Sequence, residues 1–179
     1  MKKYYWDYLT LFTLSGLIVL LDQVSKYWVR SNLAFEEIWA PWPWIFRYAR
    51  IVNWQNTGAA FGMFKNFGDV FTVLAIIVSI FILYYFPRIP RQDWYLRLAL
   101  ILQLGGAVGN LIDRINQGYV TDFISVGNFA VFNVADASIT LGVIVLLIGV
   151  WYKDRTHKPD PVTVTPEASN PPAEEPPFE

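Results

Sequence analysis

Two aspartates stand where hydrolytic chemistry is possible, Asp122 in VTDFIS and Asp136 in FNVADAS. Two carboxylates brought together cannot both ionise easily, so they share a proton. One can then activate water as general base while the other polarises a carbonyl and later protonates the leaving amine. Few other routes to hydrolysis are open. The chain has no cysteine, which removes disulfides, a thiol nucleophile and cysteine-ligated zinc. Its one histidine, His157, lies in a polar tail, which argues against a Ser-His-Asp triad or a multi-histidine metal site. Neither a metal nor an organic cofactor is expected. A serine–lysine pair is the nearest enzymatic rival, with Lys26 serving Ser25, Ser31, Ser125 or Ser138. Ser25 adjoins Lys26, however, and neighbours along a helix point apart.

Each aspartate also has a plainer explanation. Asn133 can cap a helix, and Asp136, three residues on, complements its positive end. Asp122 can be a carboxylate at a strand end or turn. For Asp136 the two readings are compatible, because a helix start is also a rigid mount for a catalytic acid.

Three further polar constellations accompany the pair. Asp22 and Lys26 are one helical turn apart, as a neutralising ion pair or as a site brace (Asp22) with a cation facing substrate or phospholipid (Lys26). QNTGAAFG, from Gln55 to Gly62, is a tight turn before a helix, or a place where Asn56 gives a backbone-like hydrogen bond and Gly58 lets a peptide approach. In GGAVGNLIDR, Gly105 and Gly109 have the small-xxx-small spacing of helix packing. Asn110 and Arg114 share a helical face there, and Asp113 is either a surface partner of Arg114 or part of the site. The pattern is a poor phosphate loop, since it lies in an apolar stretch without the lysine-serine ending.

The elements that must position these residues are membrane helices. Of 179 residues, 54 % are hydrophobic and 16 % charged, against about 25 % charged in soluble domains. No basic stripe suits nucleic acid. Four stretches have the length that spans a bilayer, about 9–29, 70–86, 94–112 and 135–151. The first resembles a signal peptide, but no small-residue cleavage site follows and Asp22 and Lys26 interrupt it, so it reads as retained. Lys2 and Lys3, then Arg88, Arg91 and Arg97, then Lys153, Arg155 and Lys158 belong on the cytoplasmic side, leaving both termini inside. Arg30, Arg47, Arg50 and Lys65 make the bias imperfect. Outer segments of about 30–69 and 113–134 remain. IWAPWPWIF suits the headgroup level. IVNW and TDFISVGNFAVF read as short strands, the latter a hairpin turning near Gly127-Asn128. The stretch from Asp136 to Trp151 measures roughly 22 Å as helix, which sets Asp136 near the outer hydrocarbon boundary. Residues 1–158 thus form one membrane domain. Residues 159–179, with seven prolines, five acids and no base, read as a disordered cytoplasmic tail.

LDQVSKYWV, QNTGAAFG, GGAVGNLIDR, VTDFIS and FNVADAS, in this order over four spans, resemble the lipoprotein signal peptidases. The resemblance covers about Leu21 to Trp151 and implies a four-helix membrane bundle with a small extracytoplasmic β-sheet and an interfacial arm. It implies an aspartic endopeptidase of the bacterial cytoplasmic membrane. Such enzymes cut diacylglyceryl-modified prolipoproteins on the amino side of the lipidated cysteine, at the outer face. The catalytic dyad maps onto Asp122 and Asp136. Asp22, Lys26, Asn56, Gly58, Asn110, Arg114, Asn133 and Ala135 match positions that support the site or hold substrate, and Asp113 takes a structural role. Prolipoprotein, membrane phospholipid and globomycin-like cyclic peptides are the implied partners of a monomer. Two features depart from the pattern: the segment between Asp122 and Asp136 is short, and the acidic proline-rich tail is not a family element. The non-enzymatic alternative is a small proton-coupled transporter subunit, which calls for charge near the midplane and at both faces. An inactive scaffold is the third reading.

Overall fold

Residues 2–58 and 67–156 are described by a computed structural model of four helices and a three-stranded antiparallel sheet. α1 runs Lys2–Asn32, α2 Gly68–Tyr85, α3 Trp94–Gln117 and α4 Val134–Thr156. All four are long and apolar enough to cross a membrane. β1 (Ile38–Trp39), β2 (Ala49–Asn56) and β3 (Val120–Val126) make a sheet in the order β1-β2-β3 at one end of the bundle. This is the expected all-α membrane architecture with its small sheet. The proline-rich tail, the second half of QNTGAAFG and Lys65 lie outside the described residues.

Large apolar side chains cover the outside of the helices; Leu147 is 64 % exposed and Ile77 57 %. Water would not tolerate such a surface, whereas lipid does, and helices leave no backbone group unsatisfied there. α3 is the hub, packing against α1, α2 and α4. Leu11, Ile82, Phe86, Ile101 and Leu104 fill the space between α1, α2 and α3. Glycines permit the close crossings. A Cβ on Gly105 would lie 2.7 Å from Ile18 Cβ of α1, and one on Gly106 would run into the Ala135 carbonyl of α4.

Three helices run past the limits their apolar runs suggest. α1 begins at Lys2 rather than near Leu9, because Asp7 does not break it. Its carboxylate is buried and paired with Arg97 at 2.7 Å and Arg91 at 3.2 Å. α3 continues through Asp113 and Arg114 to Gln117 and stops at Gly118, whose φ of 77° permits a left-handed cap. α4 continues past Trp151 to Thr156, with Arg155 lying over the Trp151 ring at 4.3 Å.

The sheet also differs from expectation. β2 extends to Asn56 and pairs with both neighbours. Ile38 and Trp39 of the aromatic arm form β1, while beyond Gly127 the expected hairpin returns only as a bridge from Phe132 to Ile124. A bulge interrupts the β2–β3 register, from Ile51 opposite Ile124 to Trp54 opposite Asp122. Side chains alternate along a strand, so one extra residue exchanges the faces. Without the bulge Asn53 would face Asp122. With it, Asn56 lies diagonally across from Asp122 on the same face. Asn53 instead ties the sheet to the residue just past α1, its Nδ2 donating to the Leu33 carbonyl at 2.8 Å.

Candidate active site

Asp122 comes from the middle of β3 and Asp136 from the first turn of α4. One residue grips both. Asn133 Nδ2 donates to Asp122 Oδ1 at 2.6 Å, and the Asn133 backbone N–H donates to Asp136 Oδ2 at 3.3 Å. The Asp136 N–H returns a bond to Asn133 Oδ1 at 2.9 Å. The reciprocal pair is a capping box, so the helix-start explanation and the mounting explanation describe the same bonds. The remaining carboxylate oxygens also meet amides. Asn56 Nδ2 donates to Asp122 Oδ2 at 2.8 Å, and Asn110 Nδ2 to Asp136 Oδ1 at 2.8 Å. Four oxygens thus receive four neutral N–H donors, and among the described residues no cation bonds either carboxylate directly.

Asp122 is 1 % exposed. Burial, and then the negative charge of Asp136, push its carboxyl up to about 7, against the pull of the Asn56 and Asn133 amides. A carboxyl so placed holds a proton that an exposed aspartate would have lost. Asp136 is half-buried and lines a cavity of about 570 Å³. Asn56, Gly58, Asn110 and Arg114 line its polar part; Phe71, Phe132, Ile139 and Ile144 line its apolar part. The cavity follows α4 from Asp136 to Ile144, roughly 12 Å down the helix.

Charge is placed behind the amides. Lys26 is completely buried; it donates to Asn110 Oδ1 at 2.9 Å and is ion-paired with Asp22 Oδ2 at 2.8 Å and Asp113 Oδ2 at 3.2 Å. The expected Asp22–Lys26 pair therefore exists, but the ammonium does not face substrate or phospholipid. Its donors are used up inside. Asp22 reaches α4 through the Ala135 N–H at 2.9 Å, and Ala135 is fully buried, which makes it a support. A Cβ on Gly109 would lie 2.7 Å from Asp22 Oδ2, so that glycine admits the carboxylate as well as the helix. The alternative surface pair of Asp113 with Arg114 does not form. Asp113 is buried against Lys26, Arg30 at 3.6 Å and the Thr121 N–H at 2.9 Å. Arg114 turns to the cavity, near Phe71. Gly58 closes a small turn by donating its N–H to Asn56 Oδ1 at 2.9 Å.

All ten residues singled out from the sequence are accordingly gathered at the sheet end of the bundle, Arg114 by way of the cavity wall. Two others were missed. Gln23 Nε2 bridges Asp22 Oδ2, Asp113 Oδ1 and the Gly109 carbonyl at 3.0–3.2 Å. Thr121 Oγ1 accepts from Arg30 at 3.0 Å. Both adjoin a selected aspartate, and a polar residue beside an acid in an apolar run was the available signal. The serine–lysine alternative does not assemble. Ser138 Oγ donates to the Leu102 carbonyl at 2.8 Å, and Ser25 Oγ to its own helix. Among the described residues, no group of three or more His, Asp or Glu is placed to hold a metal ion.

Comparison with known proteins places the chain. Residues 14–152 match the family described as Signal peptidase (SPase) II. A lipoprotein signal peptidase of Streptococcus pyogenes serotype M1 is 40 % identical over 140 residues, covering 77 % of this chain and 90 % of the relative. One from Moorella thermoacetica is 43 % identical over 136 residues, covering 75 % and 89 %. A bacterial membrane enzyme solved by the in meso method at 2.3 Å superposes with a TM-score of 0.77 at 30 % identity, over 86 % of this chain and 94 % of that one. A second, at 1.9 Å, gives 0.70 at 31 % identity over 79 % and 92 %. Five motifs in order, four apolar helices and a match over most of the length agree: the chain belongs to the signal peptidase II family.

Proposed function

We propose that this chain is an aspartic endopeptidase that removes signal peptides from diacylglyceryl-modified prolipoproteins, cleaving before the lipidated cysteine. Asp122 and Asp136 form its catalytic dyad. The observation that carries the reading is the grip of Asn133 on both carboxylates, which makes one unit of two acids from different elements. Buried Asp122 keeps the shared proton, and Asp136, open to the cavity, takes a proton from water as the water attacks the scissile carbonyl carbon. Asp122 protonates the carbonyl oxygen; the tetrahedral intermediate then collapses as one hydroxyl returns its proton to Asp122, the C–N bond breaks and the amine leaves with the proton that Asp136 collected. Arg114 lies where the cavity passes the dyad and meets the polar part of the substrate. The apolar branch of the cavity suits the signal-peptide helix and lipid tails arriving sideways from the bilayer.

The orientation belongs to the same proposal. Arg88, Arg91, Arg97, Lys153 and Arg155 gather at the end opposite the sheet, a basic bias that supports a cytoplasmic setting for that end and for both termini. The dyad then works at the outer face, beside an arm where Trp42 and Trp44 stack at 6.0 Å and stay exposed at the headgroup level. A transporter reading gains buried Asp7 and Arg97 at the second end. Between the ends, however, Ser15 gives its hydroxyl to its own helix and the packed core is apolar.

The purified protein, incubated with a diacylglyceryl-modified precursor, is expected to shorten it on a gel. Asp122→Asn and Asp136→Asn each abolish the shift, while Ser138→Ala retains it. Cleavage persisting in either Asn variant removes the dyad.

A further inference from the structure

We infer that Lys26 is a positioning residue for the reaction: its buried ammonium group decides which end of the Asn110 side-chain amide faces Asp136. The inference rests on the dyad reading and goes beyond it. A carboxamide offers oxygen on one side and NH2 on the other, and half a turn exchanges them. Asn110 stands between an ammonium and a carboxylate, so its direction matters. Lys26 has three N–H donors and no acceptor, and the atom of Asn110 that faces Nζ at 2.9 Å must therefore be oxygen. Nδ2 is left pointing at Asp136 Oδ1, at 2.8 Å. Asn133 Nδ2 also approaches the Asn110 oxygen, at 3.1 Å, but makes its shorter bond to Asp122.

The other two asparagines are held by the same logic with different donors. Backbone N–H groups of Gly58 and Asp136 fix the oxygens of Asn56 and Asn133, each at 2.9 Å. Backbone donors come with the fold. The third asparagine lies mid-helix, where backbone N–H groups are already bonded, so a side chain must supply the pin. Only a residue with no acceptor does this without ambiguity. Lys26 contacts neither Asp122 nor Asp136 by a hydrogen bond and is absent from the cavity wall. Its charge pulls weakly on Asp122 through space, and its hydrogen-bonded route to the dyad runs through Asn110. Turned the other way, that amide would set a lone pair against Asp136 and oppose the ionised form that takes the proton from water.

The test is a double-mutant cycle on kcat for cleavage of a diacylglyceryl-modified precursor, using the full chain in lipid. Lys26→Met and Asn110→Ala are measured singly and together. Each single variant is expected to lower kcat about a hundredfold with KM changed less than about twofold. The double variant is expected to match Asn110→Ala alone. Lys26→Met strands two acids and threatens folding, so the cycle is repeated in an Asp22→Asn background. There Asp113 keeps Arg30, Gln23 and the Thr121 N–H as partners. Losses that multiply to about 10⁴-fold in the double variant overturn the inference, as would unchanged kcat in Lys26→Met or a change confined to KM. Activity of Asp136→Asn is the separate result that sinks the dyad, so the two failures are distinguishable.

Discussion

Asp7 and Asp122 lie at opposite ends of the bundle, each 1 % exposed, and their surroundings differ in kind. At the turn between α2 and α3, Asp7 Oδ1 takes Arg97 at 2.7 Å and Arg91 at 3.2 Å. Arg97 is itself held by the Ile89 carbonyl at 3.0 Å and by the Phe86 ring at 4.2 Å. The second oxygen of Asp7 has no hydrogen-bond partner among the described residues. At the sheet end both oxygens of Asp122 meet neutral amides, and the cations Lys26, Arg30 and Arg114 stand further back. Arginines against a carboxylate make a charge-assisted tie between elements. Amides orient a carboxylate without neutralising it, so a second acid nearby can still drive one of the two to keep its proton. Ends that look alike in composition thus differ in build: one pairs its acid with arginines across helices, the other sets two acids among neutral amides.

Removing the amides from the sheet end should break the contrast most severely. Asn133→Ala deprives Asp122 of its shortest donor and α4 of its cap. It is expected to lower kcat by about 10³-fold, with a stability loss of about 1 kcal/mol from the cap. Full activity would mean that the shared grip is incidental. The next effect is on pH. Asp122 sits near 7 when folded against a reference of 3.8, so activity that needs its proton falls about tenfold per unit above pH 7. Stability follows the same sign. The folded state keeps a proton that the unfolded chain releases, so stability declines as pH rises from about 4 to about 7 and then levels. Denaturation midpoints across that range check this, and Asp122→Asn should flatten the slope. The smallest effect on chemistry belongs to the other end. Asp7→Asn strands a buried arginine and is expected to cost about 3 kcal/mol of stability while leaving kcat of the remaining folded enzyme within about twofold. A large kcat loss there would couple the two ends.

Much of the site was legible because membrane helices make polar residues conspicuous. Asp22, Lys26, Asn110, Asp113 and Asp136 each interrupt or border an apolar run, where a charge is costly and calls for a partner. Their partners were less legible. The sequence allowed Lys26 to face substrate and Asp113 to pair with Arg114, since spacing along one helix is silent about what another helix brings. Asp7 was passed over for the same reason. Its partners Arg91 and Arg97 lie more than eighty residues away. Helix ends were misplaced by several residues wherever an acid or an aromatic in the run found a partner that let the helix continue.

By itself the amino-acid sequence determined the number of spans, their apolar faces, the glycines at crossings and the identity of the acids, because these follow from local composition and the helical repeat. Only the tertiary structure decided which face of β2 meets Asp122. A single extra residue at the bulge moves Asn56 onto that face, and register in a short sheet depends on what both strands pack against. Tertiary packing likewise decided that three asparagines point their N–H groups inward. An amide has no preferred direction until something that can only donate stands behind it.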